Sequence, residues 1–126
     1  MAFAIDMRLG VQGLEIVMMR AIVVEQFLAH GWLNEPKSNA IAHRYFNSVV
    51  GEKNALIWMS GDSINYRLTG EYQSEGRNVL SGLDALIPAT ASLQQVKDLV
   101  VAFIAQCEEA ISKSYGVRLL SLPSTQ

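Results

Sequence analysis

The chain has 126 residues, half of them hydrophobic and only 17% charged, with a net charge of −2 from 12 acidic and 10 basic residues. This composition excludes intrinsic disorder, and the scattered Lys and Arg residues, no two adjacent, exclude the basic face that a phosphate backbone requires. A single cysteine, Cys107, excludes an intrachain disulfide and suits a reducing compartment.

Phe3, Ile5, Met7 and Leu9 alternate with Ala4, Asp6 and Arg8, the period of a half-buried strand. The same stretch lacks the basic start of a secretion signal. No apolar run reaches the roughly 18 residues of a membrane span, because Glu15, Arg20 and Glu25 interrupt the best candidate. A soluble cytoplasmic protein is the expectation.

Gly10 and Gly13 punctuate the passage into a helix over Leu14 to Leu33, with a stop near Gly31 and with Trp32 and Leu33 folding back onto it. Leu14, Ile16, Val17, Met18, Ala21, Val24, Phe27 and Leu28 fill most of its circumference. A helix apolar nearly all round requires cover on several sides. It is therefore either the long central helix of the domain or is covered in part by a second subunit.

Asn34, Glu35 and Pro36 read as a helix start, and a second helix is expected from about Pro36 to Val50, with Ile41, Ala42, Tyr45, Phe46, Val49 and Val50 on one face. Ala55 to Ser60 reads as a short strand buried on both faces. Ile64, Tyr66, Leu68, Gly70 and Tyr72 then alternate with polar residues in the clearest strand of the chain. Arg77 to Gly82 returns as a third strand, with Arg77 across from Glu71, and Asp84 to Ala91 is a loop around Pro88. Strands this close together form hairpins, since parallel pairing requires a long crossover. Ser92 and Gln95 form a capping box for a last helix carrying Leu93, Val96, Leu99, Val100, Phe103, Ile104, Cys107 and Ile111 on one face. Gly116 ends it, and Val117 to Leu122 adds an optional edge strand.

The expected architecture is one α+β domain over residues 1–126. It is an antiparallel sheet of three to five strands with helices mainly on one face, in the order β-α-α-β-β-β-α(-β).

No phosphate loop, dinucleotide fingerprint or nucleophile elbow occurs. Gly10 and Gly13 are two turn glycines rather than an anion site. His30, His43 and Cys107 lack the paired spacing of metal ligands, so neither a metal nor a cofactor is expected. Cys107 lies on an apolar helix face, where cysteine is an inert hydrophobe.

These absences favour a protein that acts by binding, as a homo-oligomer and most simply a dimer, with another protein as a further partner and neither nucleic acid nor membrane. Adaptor, chaperone-like and immunity-type roles fit equally. Val24, Phe27, Trp32, Arg67 and Glu71 are the candidate interface residues. The alternative is a small-molecule-binding protein or enzyme with a pocket between sheet and helices, lined by Tyr45, Trp58, Tyr66, Tyr72 and His43.

Overall fold

Gly31 sets how the first helix joins the rest of the molecule. In the computed structural model, which describes residues 17–48, 51–61, 64–74 and 77–115, residues 17–29 form helix α1. Gly31 follows with φ of +88°, a conformation that only glycine adopts without strain. The Gly31 N–H bonds to the Leu28 carbonyl at 3.1 Å and the Trp32 N–H to the Phe27 carbonyl at 3.0 Å. This is a Schellman closure, with its usual apolar contact supplied by Trp32 edge-on to Phe27 at 5.2 Å between ring centres.

Strands β1 (Ala42–Ser48), β2 (Gly51–Gly61), β3 (Asn65–Ser74) and β4 (Arg77–Pro88) then form one antiparallel sheet in the order β1-β2-β3-β4, and helix α2 (Leu93–Tyr115) follows. Over the described residues the architecture is α+β, an open four-stranded antiparallel sheet with two helices. Among the described residues no helix is long and apolar enough to cross a membrane.

The expected helix from Pro36 to Val50 is strand β1 instead. Its residues satisfy two periods at once. Read with period two, Ala42 and Phe46 point inward while His43, Tyr45 and Asn47 point outward. Long-range backbone bonding decides between the periods. Leu33 and His43 exchange N–H···O bonds of 2.8 and 2.7 Å, and the Ile41 N–H reaches the Ile57 carbonyl at 2.8 Å. Asn34 caps nothing; its amide donates to the Ile41 carbonyl at 2.8 Å. The Glu35–Ser38 segment is a turn, closed by the Ser38 N–H on the Glu35 carbonyl at 3.0 Å.

Four further expectations are corrected. Asp84 to Pro88 belongs to β4 rather than to a loop. The β3–β4 register shifts between Thr69 and Glu71, so that residues 81–83 face Gly70 alone. That bulge carries the strand on to Pro88 at its end, where the missing N–H costs no ladder bond inside the sheet. Arg77 pairs with Ser74, and Glu71 with Leu80. Strand β2 is buried on one face only: Ala55 and Ile57 face inward, while Trp58 is 36% exposed on the other side. Finally, α1 is not a central helix. Met19, Val23 and Phe27 line a single buried stripe, while Val17, Met18 and Leu28 are exposed. The expected strand from Phe3, the helix start at Leu14, the cap at Gly116 and the strand over Val117 to Leu122 lie outside the described residues.

One apolar cluster joins the inner sheet face (Ala42, Phe46, Ala55, Ile57, Tyr66, Leu68 and Ile87) to the buried faces of both helices. Helix α2 lies over β4 and β3. It starts at the expected capping box: the Gln95 N–H donates to Ser92 Oγ at 3.1 Å and the Ser92 N–H to Gln95 Oε1 at 2.8 Å. It buries Val96, Val100, Phe103, Ile104, Cys107 and Ile111, leaving Leu93 and Leu99 outside the core.

Leu68 is fully buried and Leu86 is 48% exposed on the opposite sheet face. In urea unfolding, Leu68→Ala should cost about 2–5 kcal/mol, whereas Leu86→Ala should stay within about 0.5 kcal/mol.

Candidate functional site

The segment from Gly31 to Ser38 runs along the free edge of β1 and covers part of the outer sheet face. Besides the Leu33–His43 backbone pair, Arg44 Nη1 donates to the Gly31 carbonyl at 2.6 Å and the Ala40 N–H to Ser38 Oγ at 3.1 Å. This strap buries His43 to 5% exposure although its side chain points away from the core.

Three polar side chains meet there. The Tyr45 hydroxyl donates to the Glu35 carboxylate, lying 3.0 and 2.9 Å from its two oxygens. The His43 ring stacks on Tyr45 with 6.1 Å between centres and 10° between planes. His43 Nε2 stands 3.6 Å from Glu35 Oε1, and among the described residues neither ring nitrogen has a hydrogen-bond partner. Neutral imidazole carries one donor and one acceptor, so both remain unclaimed beside an open recess lined by Glu35, Pro36, Lys37, Ser38 and His43. The bond to Glu35 holds the Tyr45 hydroxyl above its ordinary value of 10.0, and the charges of Glu35 and Glu52 add to the effect.

The five residues expected to line one pocket divide between the two sheet faces. His43 and Tyr45 come together on the outer face. Trp58 lies farther along that face, its indole N–H on Glu71 Oε1 at 3.3 Å. Tyr66 and Tyr72 face inward, and Tyr72 accepts a bond from the Ser114 hydroxyl at 3.1 Å. Between sheet and helices, the space bordered by Trp32, Ile57, Gly70, Tyr72 and Cys107 is a void of about 10 Å³, the size of a single water.

The expected interface residues divide as well. Phe27 and Trp32 are 0% and 1% exposed inside the chain's own core, Val24 is half-buried at its margin, and Arg67 is ion-paired with Asp84 on the outer face. Burial pushes the Cys107 thiol up to about 12, which leaves it protonated and unreactive. Among the described residues no three His, Cys, Asp or Glu side chains come together to hold a metal.

A second feature is the outward side of α1. Val17 (66% exposed), Ala21, half-buried Val24 and Leu28 (50% exposed) form a continuous stripe on the side turned away from Met19, Val23 and Phe27. The sequence shows this helix to be over-apolar, but burial is what separates its inner stripe from its outer one. Glu35 carried no sequence signal beyond its place beside Pro36; only the strap brings it to His43 and Tyr45.

Comparison with known protein families, curated proteins and solved structures returns no match to this chain.

The folded chain holds the Tyr45 proton more tightly than the unfolded chain. The stability this contributes is present below pH 10 and lost as the pH rises beyond it. Glu35→Gln should shift the Tyr45 transition down towards 10.0 in an ultraviolet titration of tyrosinate, with Tyr45→Phe identifying which transition is its own.

Proposed function

We propose that this protein acts by binding, and does so as a homo-oligomer whose protomers meet through the outward stripe of α1. The supporting observation is the exposure of Val17 and Leu28, at 66% and 50%, in line with Ala21 and Val24 on one helix face. A folded domain needs one apolar stripe per surface helix. A second stripe in line on the opposite side is the signature of an interaction surface. The space bordered by Trp32, Ile57, Gly70, Tyr72 and Cys107, at about 10 Å³, is too small for a ligand and weighs against a pocket at that position.

A small-molecule reading keeps one specific support, the unclaimed nitrogens of buried His43 beside the recess at Glu35–Ser38. It moves the candidate pocket from the core to the strap. A ligand held there would raise the melting temperature of the wild-type protein but not that of His43→Ala.

Two substitutions separate association from folding. Ala21→Asp, on the outward stripe, should leave the circular dichroism spectrum intact while sedimentation equilibrium falls to the single-chain mass. Val23→Asp, fully buried on the inner stripe, should abolish the folded state, because an unpaired charge would enter the core. A wild-type protein of single-chain mass at micromolar concentrations would overturn the oligomer reading.

A further inference from the structure

The outward stripe of α1 has heptad spacing. Val17, Ala21, Val24 and Leu28 follow one another at intervals of four, three and four residues, which places Ala21 and Leu28 at a positions and Val17 and Val24 at d positions. In the sequence, Leu14 stands seven residues before Ala21, at the preceding a position. On this lettering Arg20 is a g residue and Glu25 the following e residue, so they flank the stripe on opposite sides. Both are exposed, and neither joins an ion pair among the described residues.

Resting on the oligomer reading above, we propose that the occupant of this face is the α1 helix of a second copy, packed in parallel about a two-fold axis, with Arg20 paired to the partner's Glu25 on each side. Parallel helices bring each g residue to the e residue five positions on in the partner, and e and g charges set orientation. The interval from Arg20 to Glu25 is five, so a parallel pair forms two opposite-charge contacts. Antiparallel pairing instead sets g beside g and e beside e. Centred on this stripe, it would place Arg20 against the partner's Phe27 and Glu25 against the partner's Met18, leaving both charges on apolar neighbours. Ala21 at the middle of the stripe lets the two backbones approach closely. Phe27, on the g flank, is buried in its own protomer, so the stripe has room for one partner helix.

The test combines cross-linking with charge reversal on the full chain. In a parallel pair the two copies of residue 28 lie at the same height, within the Cα separation of about 4.4–6.8 Å that a disulfide spans. In an antiparallel pair centred on the stripe they are about 16 Å apart along the axis. Leu28→Cys should therefore cross-link to a covalent dimer on mild oxidation. Native Cys107, buried with a thiol at about 12, does not compete. Arg20→Glu and Glu25→Arg should each raise the dimer dissociation constant about tenfold, and the double reversal should return it to within about twofold of wild type. Cross-linking only in a mixture of Val17→Cys and Leu28→Cys chains, or single reversals without effect in a protein that still dimerises, would overturn the parallel arrangement and leave the oligomer reading standing. A wild-type protein of single-chain mass would overturn both.

Discussion

The fold depends on the seating of Trp32. Its side chain is 1% exposed, edge-on to Phe27 at the end of α1, and its indole N–H donates to Glu108 Oε2 at 3.0 Å. A buried indole must place both its ring and its N–H, and here the carboxylate on α2 satisfies the N–H while the ring fills the junction of sheet and helices. One residue thus ties α1 to α2 across 76 positions of sequence. Because the Schellman closure fixes Trp32 relative to Phe27, the tie also fixes which stripe of α1 faces the sheet. Met19, Val23 and Phe27 face in, Val17, Ala21 and Leu28 are left outside, and Val24 sits half-buried at the margin of the core.

The same placement orients the strap. After Trp32 the chain has no freedom to start a helix, because Leu33 is committed to a backbone pair with His43 and the Gly31 carbonyl to Arg44. The strap covers His43 as a consequence of this route. Burial of a polar ring whose two nitrogens are unbonded is unfavourable unless something compensates it. Its nearest polar neighbours are the Glu35 carboxylate at 3.6 Å and the stacked Tyr45 ring. The recess is thus a by-product of how α1 is anchored, and it lies on the sheet face opposite the core.

How much of this was legible in the sequence follows from what local pattern can encode. The capping box at Ser92, the stop at Gly31 and the alternation through Tyr66, Leu68, Gly70 and Tyr72 are local signals, and each marks what the structure contains there. The segment from Pro36 to Val50 reads as a helix because Ala42, Tyr45 and Phe46 fit a helical face and a strand equally well. The deciding partners, Leu33 and Ile57, lie 10 and 16 residues from the residues they bond. The extension of β4 to Pro88 was hidden for a similar reason, since a bulge opposite Gly70 is a property of pairing and has no local signature. Of the candidate site, His43 and Tyr45 were legible as residues but not as neighbours, and Glu35 was not legible at all.

The apolar excess in α1 was plain from the sequence, whereas its partition into two stripes was not, and that partition is what gives the outer stripe weight. Exposed apolar residues are ordinary when they are scattered. Ile64, Leu86 and Leu93 are 68%, 48% and 54% exposed, but they sit before β3, on β4 and at the start of α2, with no shared face. The α1 residues share one element, one face and one spacing, with opposite charges at the two flanks. Stability of the protomer draws little on the exposed Val17, Ala21 and Leu28, because the inner stripe, with half-buried Val24 at its margin, already anchors the helix through Val23, Phe27 and Trp32. An apolar surface that folding does not require, arranged at the period of a helix seam, is the pattern that a second helix fits.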